Sequence, residues 1–261
     1  MARRGTSRIL DALLSFTLIP FDRQNPTRGT PLRTILIDPG GSGGGGSVVR
    51  AMNHLSGVHR LANRYHAMRH GQSKANASGI IVSRIESDRL GDYGLSELGR
   101  RQAAEAARAC GLPADTVICS SDFNRARQTA EIVRARLGAP AVMVAAALRE
   151  RCFGELEGSA TGNYARVWAA DEAGTAQAGG GDAVPRDTGG VEPAATVLDR
   201  VTALVADLER RYAGHDILLV SHGDTLQILQ AGFLLMDPAA HRRLPHLAVA
   251  EIRALRLPAA C

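Results

Sequence analysis

Aromatic side chains are scarce in this 261-residue chain: Phe, Trp and Tyr together make up 4% of it, so the core is expected to be built from Ala, Leu and Val. Cysteine is nearly as sparse. Cys110, Cys119, Cys152 and Cys261 have neither metal-ligand nor disulfide-framework spacing, which reads as reduced, mostly buried thiols and makes the cytoplasm the default compartment. Long apolar runs are lacking too, since stretches such as Ile217 to Val220 are far too short to span a bilayer, and no membrane partner is expected. Residues 9–21 follow Arg3, Arg4 and Arg8, but Asp11 interrupts the run and no small-residue cleavage site is clear. They make a poor signal peptide, and the Arg-rich, acid-poor start leaves a transit peptide open. The formal charge of +5 is unevenly placed. Residues 1–60 hold eight Arg and three Asp, and removing these from 31 basic and 26 acidic residues leaves 23 of each for residues 61–261. A formally neutral body argues against a broad nucleic-acid surface.

With 45% hydrophobic residues the chain can bury one sizeable core plus an appendage. Pro20, Pro26 and Pro31 prevent a long helix near the start, and Gly40 to Ser47, nearly all Gly and Ser, has the composition of a flexible linker. The expected division is a leader over residues 1–60, disordered or else a targeting or docking segment, and a folded domain over residues 61–261.

Within that domain Tyr65-His66-Ala67-Met68 reads as a short buried strand, and the polar stretch Gln72 to Asn76 as a turn, so His70 is expected at a strand's C-terminal end. Ligands of open α/β sheets bind there. Ile80-Ile81-Val82 leads into a polar loop, Ser83 to Gly94. Ser96 fits the N-cap of a helix from Glu97 to Ala109, which Gly111-Leu112-Pro113 ends. Thr116 to Cys119 reads as a second strand, Phe123 to Leu137 as a helix stopped by Gly138, and Ala141 to Val144 as a third strand. Residues 171–190, rich in Gly, Ala and Asp, suggest a long surface loop that could act as a lid. Val197 to Tyr212 gathers Val197, Val201, Leu204, Val205 and Leu208 on one helix face. Asp216 to Val220 has the strongest buried-strand pattern, and runs through Ser221-His222-Gly223-Asp224 into a helix from Thr225 to Leu235. Strands alternate with helices and hairpin signals are few. This predicts an α/β fold, a three-layer α/β/α sandwich with a mostly parallel, doubly wound sheet.

Strand ends would then bring Arg69, His70, Arg125, Glu150 and His222 to one crevice. A neutral imidazole is a nucleophile, a guanidinium is a planar fork matched to phosphate oxygens, and Gly71 would let a ligand approach the backbone. Two arginines, one histidine and a helix N-terminus supply the donors that a multiply charged oxyanion needs. The other histidine can attack phosphorus in line while a carboxylic acid protonates the departing alkoxide. Blander readings stand beside these. Arg125, among Arg127, Arg134 and Arg136, could be a solvated charge; Glu150 could pair with Arg149 or Arg151, with Glu155 and Glu157 as rival acids. His66 and His241 read as ordinary and Trp168 as packing, or else as cover for a substrate. The segment from His241 to His246 could reach the crevice, although capping the last strand is the preferred reading.

Taken together, Arg69-His70-Gly71-Gln72-Ser73 with Asn76, the Leu95-Ser96-Glu97-Leu98-Gly99 helix start, Ser120-Ser121-Asp122 with Arg125-Ala126, Glu150-Arg151, and Ser221-His222-Gly223-Asp224 resemble the histidine phosphatase superfamily, also called the phosphoglycerate mutase-like family. The pieces occur in family order over roughly residues 62–257. The resemblance implies that His70 is the nucleophile, that Arg69, Arg125 and His222 hold the phosphoryl group, and that Glu150 is the proton donor. It also implies that Gln72, Ser73, Asn76 and Gly223 line the phosphate or substrate pocket. No metal and no organic cofactor are implied, because arginines and a protonated second histidine can offset phosphate charge.

The same site can pass its phosphoryl group to water or to a sugar acid. The mutase branch carries an insertion with lysine, paired arginines and a proline run, whereas Gly158 to Gly190 here has no lysine, no paired arginines and only Pro185. Gly189-Gly190-Val191-Glu192 resembles the Gly-Glu-Ser element of the phosphatase branch, with Pro193 where serine is usual. Hydrolysis of a small phosphorylated metabolite is therefore expected. The alternatives are a cofactor-dependent phosphoglycerate mutase or a catalytically weak member acting as a binding protein. Oligomeric state is not legible.

Overall fold

The computed structural model describes residues 52–177 and 189–259, which belong to one compact unit, Val48–Cys261. The expected leader up to residue 51 lies outside the described residues, as does the Gly/Ser linker. Within residues 52–60, which the sequence reading assigns to the leader, Leu55 is 1% exposed and Asn53 Nδ2 donates to Gly232 O at 2.9 Å.

Strand β1, Arg64–Arg69, is followed by two short helices, α1 (Lys74–Ser78) and α2 (Ile85–Leu90), and by α3 (Glu97–Ala109). Then come β2 (Val117–Ser120), α4 (Asn124–Leu137) and β3 (Met143–Val144). Helix α5 (Tyr164–Gln177) and α6 (Ala194–Arg211) precede β4 (Asp216–Ser221), α7 (Gly223–Phe233) and β5 (Ile252–Leu255). The sheet order is β3-β2-β4-β1-β5, parallel except for β5, which runs antiparallel to β1.

Alternation along the central strands makes the three layers. Tyr65, Ala67, Cys119, Ile217 and Leu219 pack with Val197, Val201, Val205 and Leu208 of α6 and Leu226, Ile228, Leu229 and Phe233 of α7. Their neighbours Met68, Ile118, Leu218 and Val220 point the other way, onto Ala107 of α3 and Ala126, Ala130 and Val133 of α4. Each fully buried Val or Leu contributes about 1.5–3 kcal/mol, so these two faces carry the fold. The side against α3 and α4 uses mostly alanine. That is why so few aromatics suffice.

Local signals set the ends of the longer helices. Ser96 caps α3 by accepting from Gly99 N at 3.1 Å, and Gly138 ends α4 in the left-handed region at φ 70°. Short or tertiary-held elements depart from expectation. The polar loop Ser83 to Gly94 contains α2, held by burial of Ile85 beside Phe123 and by Asp88 Oδ2 accepting from Asn124 N at 2.8 Å. Residues 171–177 of the expected surface loop are the end of α5, and residues 178–188 lie outside the described residues. The third strand has only Met143–Val144, while α6 and α7 begin earlier than their apolar patterns do, at Ala194 and Gly223. Among the described residues no helix is long and apolar enough to cross a membrane.

Candidate active site

β4 lies between β1 and β2 with Arg69 opposite Ser221 and Ser120 opposite Val220, so the three strands end together. The ladder continues one step beyond the strands: His70 N donates to Ser221 O and Ser121 N to Val220 O, both at 3.0 Å. This fixes the backbones of His70, Ser121 and His222 side by side. Gly71 serves a different approach from the expected one. A Cβ there would stand 2.4 Å from Gly99 O, and one at Gly99 would stand 2.0 Å from Gln72 O. The two glycines bring the first turn of α3 against the His70 loop; the backbone that comes close is the protein's own.

The His70 and His222 rings meet edge to face with centroids 5.2 Å apart, and His70 is only 3% exposed. His70 Nδ1 is 2.7 Å from Gly71 O, which can only accept, so Nδ1 carries the proton and Nε2 keeps its lone pair. Arg125 Nε donates to that Nε2 at 3.1 Å, and its Nη2 donates to Val82 O at 2.9 Å. Arg125 is therefore no solvated surface charge; it is 4% exposed and lies over the Phe123 ring. Ser121 Oγ accepts from Phe123 N at 3.3 Å and lies 2.9 Å from His222 Nε2. That leaves Nδ1 as the ring nitrogen of His222 without a hydrogen-bond partner. Ser121 was legible only as part of a motif, with no role attached.

Arg69 lies beside His246, Nη1 to Nε2 at 2.5 Å, and also donates from Nη1 to Leu247 O at 3.0 Å. Gly223 makes room for both, since a Cβ there would stand 3.3 Å from the His246 ring and 3.5 Å from Arg69 Cζ. The segment before the last strand thus reaches Arg69 while also meeting β5, whose Arg253 donates to Pro245 O at 2.6 Å and to His246 O at 3.1 Å. Three buried nitrogens around His70 have no hydrogen-bond partner: Arg69 Nε, Arg125 Nη1 and His222 Nδ1. Asp88 Oδ1 is 3.6 Å from Arg125 Nη1, beyond hydrogen-bond length.

Burial, with the positive charges of Arg125 and Arg69, holds the pKa of His70 well below the usual histidine range. His222 is lowered well below that range too, by burial and then Arg125. Burial and Arg125 thus favour the neutral form of the second histidine in the free site, in contrast to the protonated form expected from sequence. Glu150 goes the other way. Burial and the charge of Asp224 outweigh Arg125 and raise its pKa. Its Oε1 accepts from Arg151 N at 3.0 Å and from Thr225 N and Oγ1 at 3.2 and 3.1 Å. The charged neighbours are engaged elsewhere: Arg149 with Asp122 at 2.6 Å, and Arg151 with Asp171 and Asp224 at 2.6 and 3.2 Å. Of the rival acids, Glu155 is exposed and Glu157 accepts from Ser83 N and Oγ.

Other candidate residues are tied to the His70 loop by hydrogen bonds. Ser73 and Asn76 form a reciprocal capping box on α1, and Gln72 Oε1 accepts from Ser96 Oγ at 2.8 Å. Those hydrogen bonds brace the His70 loop, and the pocket-lining roles expected of the three residues gain no support from these contacts. Glu192 pairs with Arg200 at 2.8 Å, and Arg200 Nη1 donates to Ala147 O and Arg149 O, which anchors the backbone before Glu150. His66 pairs with Asp216 at the far end of β1. His241, fully buried, is not idle: its Nε2 is 3.0 Å from Asp224 Oδ1. Trp168 Nε1 donates to the same oxygen at 2.9 Å, and its ring stacks on Tyr164 at 5.4 Å. Tyr164, Trp168 and Asp171, spaced four and three residues apart, put one face of α5 against Glu150-Arg151 and the start of α7. Sequence reasoning passed over Tyr164 and named Asp224 only as part of a motif, with no role attached. Among the described residues no group of three or more His, Cys, Asp or Glu could hold a metal ion.

A family model described as the histidine phosphatase superfamily (branch 1) matches residues 66–259. The chain is similar to glucosyl-3-phosphoglycerate phosphatase of Mycobacterium tuberculosis, 33% identical over 186 residues that cover 68% of this chain and 78% of the relative. It is also similar to metal-independent phosphoserine phosphatase of Arabidopsis thaliana, 29% identical over 164 residues covering 62% and 65%. Among solved structures, mycobacterial glucosyl-3-phosphoglycerate phosphatase complexed with VO3 superimposes with a TM-score of 0.58 at 27% identity, covering 74% of this chain and 94% of that one.

Proposed function

This chain belongs to the histidine phosphatase superfamily, and from that premise we propose that it hydrolyses a small phosphorylated metabolite with His70 as nucleophile and Glu150 as acid. The observation that carries the assignment of roles is the trio of buried, unpartnered nitrogens, Arg69 Nε, Arg125 Nη1 and His222 Nδ1, gathered about His70. Leaving buried donors unpaired is unfavourable, and a phosphoryl group with three oxygens would satisfy them.

His70 Nε2 attacks phosphorus in line, a P–N bond forms and the P–O bond to the alcohol breaks. Protonated Glu150 gives its proton to the departing oxygen. Water then attacks the phosphohistidine, Glu150 takes one of its protons, the P–N bond breaks, and inorganic phosphate leaves. The lowered pKa of His70 keeps its lone pair free, and the raised pKa of Glu150 favours the protonated form that an acid needs. Arg125 Nε, now on His70 Nε2, transfers to a phosphoryl oxygen as the P–N bond forms.

The relatives named for glucosyl-3-phosphoglycerate and phosphoserine support a small phosphorylated substrate. Hydrolysis rather than mutase activity is supported by the segment after Glu150, which lacks lysine and paired arginines from Gly158 to Gly190. Cytoplasmic residence is proposed with it, on the free thiols of Cys110, Cys119 and Cys152. The test is turnover of nitrophenyl phosphate, with trapping of an acid-labile phosphoenzyme that His70→Ala abolishes. A phosphoglycerate interconversion primed by bisphosphoglycerate would overturn the hydrolase reading.

A further inference from the structure

We propose that Glu192 and Arg200 are positioning residues for the acid: their ion pair clamps the backbone on both sides of Glu150 and so sets how well it protonates the leaving group. The inference rests on the phosphatase reading and adds to it two residues that never meet the substrate.

Glu150 lacks the support that the two histidines have. His70 and His222 follow strands whose ladder continues past their ends, whereas β3 stops at Val144, and only Ala145 N still donates to Ser120 O, at 2.8 Å. A 3-10 turn, Ala146–Leu148, comes next, and Arg149 to Cys152 has no regular secondary structure. Groups from outside the segment must satisfy and hold this backbone.

Two sets of side chains do so. From the end of β4 and the start of α7, Ser221 Oγ donates to Leu148 O at 2.7 Å and Thr225 Oγ1 to Arg149 O at 2.9 Å. The second set is the ion pair. Arg200 Nη1 takes the carbonyls before the acid, Ala147 O at 2.6 Å and Arg149 O at 3.0 Å. Glu192 takes the residues after it. Its carboxylate accepts from Cys152 N at 3.2 Å, its backbone N donates to Cys152 O at 2.8 Å, and its carbonyl accepts from Arg151 Nε at 2.7 Å. Two parallel hydrogen bonds, Nε to Oε1 at 2.8 Å and Nη2 to Oε2 at 3.0 Å, join the two halves. Such a fork is directional as well as strong.

The segment that carries Glu192 is itself fitted to the acid's. Phe153 pairs with Val191 in an antiparallel bridge, and Glu155 N donates to Gly189 O at 2.8 Å. A Cβ at Gly154 would stand 2.0 Å from that same oxygen, so only glycine permits the approach. The carboxyl of Glu150 depends on this backbone directly, because Arg151 N donates to its Oε1 at 3.0 Å. Among the described residues, the hydrogen bonds of Glu192 and Arg200 go to each other and to residues 147–152, and none goes to Arg69, His70, Arg125 or His222. Loosening the clamp therefore displaces the acid and leaves the phosphate-holding groups in place.

The experiment measures kcat and KM of the full chain on glycerol 2-phosphate, whose alkoxide needs a proton, and on nitrophenyl phosphate, whose phenolate does not. Glu192→Ala should lower kcat on glycerol 2-phosphate by about 10- to 10²-fold, the scale of a misplaced catalytic group, with KM nearly unchanged. Nitrophenyl phosphate should be slowed far less, which also shows that the variant folds. Glu192→Gln, which keeps an acceptor for Cys152 N, should recover part of the loss. Arg200→Lys, which cannot bond to both Glu192 oxygens and the carbonyls together, should show the same selective loss in weaker form. In a Glu150→Gln background Glu192→Ala should add little, because it acts through the group already removed.

Equal slowing of both esters by Glu192→Ala, unimpaired turnover of glycerol 2-phosphate, or a full further loss in the Glu150→Gln background each overturns the proposal. Glu150→Gln alone, measured beside them, tells the two failures apart. If it discriminates between the esters and Glu192→Ala does not, the clamp is wrong and the acid stands; if it slows both alike, the acid assignment falls and the clamp with it.

Discussion

The two walls of the crevice are built on opposite principles. The phosphate wall, made of Arg69, His70, Arg125 and His222, stands on the ends of β1 and β4 and the first turn of α4, and it holds buried donors without partners. The wall behind it, made of Arg151, Asp224, His241 and Trp168, is saturated: Asp224 alone accepts from three side chains, and Arg151 binds two aspartates. One wall keeps its polar capacity for a ligand, and the other spends it on order. Glu150 sits where they meet, bonded to Thr225 of α7 and raised in pKa by Asp224.

Breaking the phosphate wall should cost most. His70→Ala should reduce nitrophenyl phosphate turnover on the order of 10⁴-fold or more, with no trapped phosphoenzyme. If label still lodges on the protein, another nucleophile is at work. Arg125→Ala should lose roughly 10²–10³-fold in kcat, the scale for one preorganised donor to a developing charge. It should also weaken inhibition by inorganic phosphate, and unchanged phosphate affinity would remove Arg125 from the site.

At the junction, Glu150→Gln should slow alkyl phosphates by about 10²-fold or more and nitrophenyl phosphate much less, because nitrophenolate leaves without a proton. Equal slowing of both would move the acid role elsewhere. Ser121→Ala frees the tautomer of His222 and should cost only about tenfold or less, a loss comparable to one neutral hydrogen bond. In the saturated wall the sign of a pH effect is the readout. Protonated Glu150 is required, so activity is lost as pH rises through its raised pKa. Asp224→Asn removes the negative charge that helps raise it, so that limb should move to lower pH; a limb that stays put or moves up would show that Asp224 acts only on packing.

The same contrast explains what was legible before the fold was known. His70 and His222 each follow a buried strand and precede a glycine, and Glu97 to Ala109 and Gly138 carry local cap chemistry, so these features depend only on neighbours in the chain. Asp88 shows the limit. It is polar, sits in what reads as a loop, and gains its role from Asn124 and Arg125 of α4. Gly71 was assigned to a ligand because a lone glycine says that something comes close without saying what; the nearby backbone belongs to Gly99. Arg242 and His246 were set aside with the last strand, since their partners Trp168, Gln227 and Arg69 are far away along the chain.

Periodic burial and capping act over a few residues, so the central strands, the longer helices α3, α4, α6 and α7 and the two strand-end histidines were determined by the amino-acid sequence alone. Charge state, tautomer and vacant hydrogen-bonding capacity depend on burial and on groups brought in from distant segments. Which nitrogen of His70 is free, why the pKa of Glu150 is raised, and which buried nitrogens are left without partners were therefore decided only when the sheet and α5 closed around them.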